Sequence, residues 1–263
     1  MEVFAVFGKP IKHSISPRMH NLALKNLDLN GIYTRYCLKK GEDLAKTFHH
    51  LKLSGANVTI PYKEFAHNQC DKVVGIAKEI KAVNTIVKKD DKLLGYNTDA
   101  PGFILAIKDF LPLKNALILG AGGTAKAICC ALKNEGLRIS IVNRSKKRLE
   151  DFADLDVSLY DWNSYEPKPF DIIINTTSAG LNDELLPLPE HLLLPTIKQA
   201  KYAFDVIYHK QTPFLDACKK HHLKCKDGKE MLLYQGVLAF EIFFDNKHKQ
   251  SQIAKYMSLV FDL

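Results

Sequence analysis

The run Ala116-Leu117-Ile118-Leu119-Gly120-Ala121-Gly122-Gly123-Thr124-Ala125 joins an apolar stretch to a glycine loop. Four consecutive apolar residues with no polar alternation read as a strand buried on both faces of a parallel sheet. The loop has the spacing Gly-x-Gly-x-x-Ala between that strand and a helical stretch. In this setting the first glycine makes the tight turn. The second lets the backbone approach a pyrophosphate, and the small sixth residue lets helix and strand pack closely. The N–H groups at the helix start then hold the phosphates. Gly120, Ala121, Gly122, Gly123 and Thr124 are therefore candidate dinucleotide contacts.

Moving outward, a helix is expected over Thr124–Asn134, closed by Gly136, and then a buried strand over Ile139–Val142. A protein that binds NAD usually carries an acid at the end of this second strand, for the ribose hydroxyls. Here the chain reads Asn143-Arg144-Ser145-Lys146-Lys147-Arg148. A carboxylate would repel a 2′-phosphate, whereas an arginine can clamp one. The pattern predicts NADP(H), held by Asn143, Arg144, Ser145 and Arg148, with Lys146 and Lys147 on an exposed helix start. Two more buried strands read at Asp171–Asn175 and Tyr202–Val206, with helical stretches between them. This succession of βαβ units predicts a doubly wound, Rossmann-type domain over residues 103–235.

The first hundred residues differ in character. Strands read at Val3–Phe7, Tyr33–Tyr36 and Asn57–Ile60, and a hairpin at Val83–Val87 and Leu93–Tyr96. Helices read from Ser16-Pro17, with Ser16 as N-cap, over Asp43–Leu53, and from Pro101-Gly102. The C-terminal stretches Met231–Phe244 and Ile253–Val260 read as helices with no strand of their own. They are expected to return to the first half. The predicted fold is α/β with two domains: a substrate domain of residues 1–102 plus 236–263, and the NADP-binding domain, with the active site in the cleft between them.

Composition sets the outer limits. The chain has 263 residues, 46% hydrophobic and 25% charged, which excludes pervasive disorder and a disulfide mini-scaffold. No apolar run reaches the roughly 18 residues that span a bilayer. The opening Met1-Glu2-Val3-Phe4-Ala5 carries an acid where a signal peptide wants basic residues, so a cytoplasmic protein is expected. The net charge of +8 is spread along the chain, without a basic recognition helix or basic–aromatic interleaving, and predicts no nucleic-acid partner. The stretch Cys218-Lys219-Lys220-His221-His222-Leu223-Lys224-Cys225 carries too many lysines for a cation, and no metal is expected.

Several further motifs fall in order. They are Gly8-Lys9-Pro10-Ile11 with His13-Ser14-Ile15-Ser16-Pro17, and Gly55-Ala56-Asn57-Val58-Thr59-Ile60-Pro61-Tyr62-Lys63-Glu64. Next come Ala82-Val83-Asn84-Thr85 and Gly95-Tyr96-Asn97-Thr98-Asp99. Asn175-Thr176-Thr177-Ser178-Ala179-Gly180, Asp205-Val206-Ile207-Tyr208 with Thr212-Pro213, and Met231-Leu232-Leu233-Tyr234-Gln235 complete the series. From residue 4 to about residue 240 the chain resembles the shikimate dehydrogenases. The resemblance implies NADPH-dependent reduction of 3-dehydroshikimate to shikimate, a step toward chorismate and the aromatic amino acids. It implies Lys63 as proton donor and acceptor, assisted by Asp99. It implies a substrate site of Ser14, Ser16, Thr59, Lys63, Asn84, Asp99, Tyr208 and Gln235, and Val206 and Gly228 beside the nicotinamide. A monomer or homodimer is expected.

The chain departs from the family pattern in places. Lys81 replaces a glycine before Ala82-Val83-Asn84-Thr85, and Ala100-Pro101 follows Asp99 where glycine is usual. Glu230 stands in Gly228-Lys229-Glu230-Met231-Leu232, an awkward acid beside a phosphorylated cofactor. Two alternatives stay in view. An NAD-dependent quinate/shikimate dehydrogenase would want an acid where Arg144 stands. A catalytically silent NADP-sensing regulator would be expected to have lost Lys63 or Asp99.

Overall fold

The computed structural model describes residues 1–262. The chain opens with β1 (Glu2–Gly8), α1 (Ser16–Asn26), β2 (Gly31–Cys37), α2 (Leu44–His50), β3 (Gly55–Val58) and α3 (Lys63–Gln69). There follow β4 (Lys72–Val73), α4 (Ala77–Ile80), the hairpin β5 (Thr85–Lys89) and β6 (Lys92–Tyr96), and α5 (Asp99–Ala106). The six strands form one sheet in the order β2-β1-β3-β5-β6-β4. β1 pairs parallel with both β2 and β3, while β3–β5 and β5–β6 are antiparallel. The hairpin turns on Asp90 and Asp91, both with positive φ, which matches the twist of the flanking strands.

The second sheet is wholly parallel. It is built from β7 (Asn115–Leu119), β8 (Arg138–Asn143), β9 (Ser158–Asp161), β10 (Phe170–Asn175), β11 (Ala200–Asp205) and β12 (Lys224–Lys226). Its order is β12-β11-β10-β7-β8-β9, which reverses direction at β7. The helices are α6 (Gly123–Asn134), α7 (Glu190–Ile197) and α8 (Pro213–Lys220), with a 3-10 segment at Lys146–Leu155. Leu117, Leu119, Ile173 and Ala203 from the strands and Leu193, Phe214 and Cys218 from the helices share one core. β9 and β12 go beyond the four strands expected, because both are short and half-exposed and carry little apolar pattern.

The chain then enters α9 (Lys229–Phe243) and α10 (Gln250–Ser258). These helices return to the first sheet. Val237 and Phe240 of α9, and Ile253 and Met257 of α10, bury with Phe4, Val6, Met19 and Ala23. Two units result: Met1–Gly102 with the stretch from Leu232, and Phe103–Met231. The chain changes unit inside α5 and again inside α9. Ser16 differs from expectation, since it is the first residue of α1 and Ile15 is the N-cap. Pro17 supplies the first-turn geometry, and the Ser16 hydroxyl takes no capping bond. No helix among the described residues is long and apolar enough to cross a membrane.

Candidate functional site

In the first unit Lys63 opens α3 and Asp99 opens α5. Lys63 Nζ lies 2.7 Å from Asp99 Oδ2, with the side chains 21% and 14% exposed. Each end of the pair is anchored by the backbone. Val83 N donates to the Lys63 carbonyl at 2.9 Å. Asn97 Oδ1 accepts from Asp99 N and Ala100 N, and Asn97 Nδ2 donates to the Ala82 carbonyl. Asn97 thus caps α5 and sets where Asp99 stands. Ala100 and Pro101 sit in the first turn, where proline costs the helix no hydrogen bond, so this departure leaves Asp99 in place.

The other candidates of this unit sit at the ends of its elements. Ser14 Oγ lies 3.3 Å from Ser16 Oγ. Arg35 donates twice to the Ser14 carbonyl, at 2.9 and 2.6 Å, and pins that loop to β2. Thr59 follows β3, its N–H donating to the Phe7 carbonyl at 2.8 Å. Asn84 is 3% exposed, and its Oδ1 accepts from Thr98 N at 2.8 Å. Gln235 Nε2 donates to the Leu232 carbonyl within α9. A Cβ on Gly102 would stand 2.8 Å from Gln235 N, so a glycine here is what lets α5 close on α9.

The second unit holds a cavity of about 480 Å³ at the ends of β7, β8 and β10, lined by Gly120, Ala121, Gly122, Asn143, Arg144, Ser145 and Arg148. Gly120 has φ +106, and a Cβ there would stand 2.7 Å from Thr176 Oγ1. Around Gly122 no atom beyond its chain neighbours lies within 4 Å of where a Cβ would stand, which leaves the backbone open on that side. The topology puts this cavity where the strand order reverses, the usual ligand position in open parallel sheets. The one carboxylate on its wall, Asp183, is engaged by Gly180 N and Leu185 N. Bonds from those N–H groups hold its carboxyl below the usual carboxylate range. An NADP 2′-phosphate would find Arg144, Ser145 and Arg148 exposed on the wall, so the residues fit a phosphorylated dinucleotide.

Gly123 and Thr124, in the first turn of α6, are not on that wall, and neither are Val206 and Gly228. Gly228 packs directly on Val206, and its N–H donates to the Ile207 carbonyl at 3.1 Å. Tyr208 is half-buried in this unit, and burial pushes its hydroxyl pKa up. Glu230 accepts from Lys226 at 2.7 Å, and the same Lys226 binds Asp109 at 2.6 Å, so one ammonium is shared by two carboxylates. Trp162, Thr176, Thr177, Leu186 and Pro187 also line the cavity and were not expected there. Trp162 follows the unexpected strand β9. The run Asn175–Gly180 was visible as a motif, but nothing in it marked a wall.

Two family descriptions match the chain: the shikimate dehydrogenase substrate binding domain over residues 6–86, and shikimate / quinate 5-dehydrogenase over residues 105–181. A Helicobacter hepaticus protein named shikimate dehydrogenase (NADP(+)) is 48% identical over 252 residues, covering 95% of this chain and 94% of its own. A Helicobacter pylori protein of the same name is 45% identical over 269 residues, covering 99% of each. A crystal structure of shikimate 5-dehydrogenase from Thermus thermophilus, in complex with NADP(H) and shikimate, is similar with a TM-score of 0.87. It is 34% identical and covers 98% of both chains.

Proposed function

The chain belongs to the shikimate dehydrogenase family, and on that premise we propose that it catalyses the reversible NADPH-dependent reduction of 3-dehydroshikimate to shikimate. The observation that carries this reading is the Lys63–Asp99 pair, 2.7 Å apart and largely shielded from solvent. Reducing a ketone needs a hydride on carbon and a proton on oxygen. NADPH, when bound, supplies the hydride. Lys63 Nζ delivers the proton to the substrate oxygen and takes it back in the reverse direction. Asp99 orients the ammonium and accepts from a substrate hydroxyl. A charged lysine also stabilises negative charge developing on that oxygen.

The remaining side chains bind and orient. Ser14 and Ser16 donate to the substrate carboxylate at the start of α1, where the helix dipole favours an anion. Tyr208 contributes on the carboxylate side. Thr59, Asn84 and Gln235 read ring hydroxyls. Arg144, Ser145 and Arg148 hold the 2′-phosphate, Asn143 supports that turn, and Gly120 to Thr124 receive the pyrophosphate. Val206 and Gly228 border the nicotinamide. The enzyme draws on NADPH in the cytoplasm, where we place it, as a monomer or homodimer.

The test is NADP reduction with shikimate, followed by nicotinamide absorbance, in wild type and Lys63→Ala. Quinate and NAD serve as the alternative substrate and cofactor. Turnover of shikimate with NADP is expected, and Lys63→Ala should lose about 10²–10⁴-fold in kcat while still binding both ligands. A folded wild type that binds NADP but turns over none of these substrates overturns the enzyme reading. Preference for quinate with NAD overturns the substrate and cofactor assignment.

A further inference from the structure

A chain of buried side chains runs behind Asn84, and the orientation of each amide in it is determined. The backbone carbonyl of Asn84 can only accept, and Asn57 Nδ2 lies 3.2 Å from it. The Asn57 amide is thereby oriented, and its Oδ1 accepts from the Tyr33 hydroxyl at 2.7 Å. Asn57 Nδ2 also donates to Thr85 Oγ1 at 3.0 Å. The Thr85 hydroxyl lies 2.9 Å from Asn84 Oδ1 and 3.2 Å from Thr98 Oγ1, and the Thr98 hydroxyl in turn lies 3.2 Å from the same Oδ1. The N–H of Thr98 can only donate, and it reaches the same Oδ1 at 2.8 Å. Asn84 Oδ1 therefore accepts from the Thr98 N–H and from the threonine hydroxyls beside it. One N–H of Asn84 Nδ2 bonds Thr98 Oγ1 at 3.0 Å, and the other is left over. All five residues are buried.

We propose that Tyr33, Asn57 and Thr85 are positioning residues that lock the Asn84 amide with its oxygen turned inward, so that this position offers the substrate a hydrogen-bond donor only. The inference rests on the proposed function, in which Asn84 reads a ring hydroxyl, and it adds the polarity of that contact. The substrate oxygen at Asn84 must accept. A carboxylate in place of the amide would present two acceptors and could not serve. A free amide would turn over between two orientations and read the hydroxyl with half of its states.

The test pairs variants with substrate analogues. Shikimate analogues each lacking one non-reacting ring hydroxyl are compared with shikimate, and Asn84→Ala identifies the analogue whose penalty depends on Asn84. That analogue should lose about tenfold in kcat/KM with the wild type, the worth of one well-placed hydrogen bond. In Thr85→Val the penalty for this analogue should shrink several-fold. The other analogues' penalties and the KM for NADP should stay put, and Thr85→Ser should restore the wild-type pattern. Tyr33→Phe should move the same analogue in the same direction, and thermal melts report that each variant folds. If the penalty is unchanged in folded Thr85→Val and Tyr33→Phe, or if all substrates fall equally, the inference is overturned. A wild type inert toward shikimate overturns the functional reading first, and this inference with it.

Discussion

His20 lies at 1% exposure, stacked on Tyr33 with ring centroids 4.1 Å apart, and neither of its ring nitrogens has a hydrogen-bond partner. Burial lowers its pKa from 6.5 to about 3. A depressed pKa means that the unfolded chain takes the proton first. The stability this site contributes is complete above pH 6.5 and drains away as the pH falls toward 3. Near pH 5 the loss is about 2 kcal/mol relative to neutral pH. Urea melts of wild type and His20→Leu should therefore diverge by about that amount between neutral pH and pH ~5, the variant falling less. A parallel decline would refute it. Lys81 is the second case. It ends α4 with φ +57, a left-handed conformation that costs a side chain about 1 kcal/mol. The residue is exposed. Lys81→Gly should raise stability by roughly 0.5–1 kcal/mol, read from the urea midpoint at unchanged slope. The family's glycine at this place has a physical reason, and the departure from it is local.

Asp205 shows how elements are tied together. It ends β11 fully buried, and burial raises its carboxyl pKa while hydrogen bonds pull it back. Asn175 Nδ2 reaches both of its oxygens at 3.1 Å, Ile207 N donates at 3.0 Å, and Thr212 Oγ1 donates at 2.7 Å. Thr212 also accepts from Leu215 N as the cap of α8. One carboxylate thus joins the ends of β10 and β11 to the start of α8. Removing it strands several buried donors at once, so Asp205→Ala should destabilise by about 3 kcal/mol or more in denaturant titration. A cost below ~1 kcal/mol would show that these groups find water instead. In the sequence this aspartate was visible only as part of a motif. Its partners lie thirty residues upstream and seven downstream, and spacing alone does not reveal which of them meet.

For the whole molecule, the cavity proposed for the cofactor is built wholly from residues of the second unit, whereas most candidate substrate contacts belong to the first. Hydrogen exchange should separate the two. NADP alone should protect amides around Gly120–Thr124 and Asn143–Ser145. Shikimate alone should protect those around Ser14–Ser16, Thr59 and Asn84. Protection by NADP confined to the first unit would contradict the assignment. The same contrast explains what was legible. The run Ala116–Leu119 followed by its glycine loop reads as a strand of a parallel sheet, because a strand covered on both faces has no need to alternate. Arg144 in place of an acid is the sequence signal for a phosphorylated cofactor, and it is read from charge alone.

Local chemistry of this kind needs no tertiary context: strand burial, turn geometry and the sign of a charge are written in adjacent residues. The fold class and the cofactor class were therefore determined by sequence alone. The short strands β9 and β12, the wall formed by Trp162, the Asn97 cap, the Lys226 bridge to Glu230 and the oriented amide of Asn84 were decided only by folding. Each depends on pairing groups distant in sequence, or on an environment that low apolar pattern does not announce. Hydrogen-bond direction is the extreme case. It is settled by backbone donors and acceptors whose positions exist only once the sheet has formed.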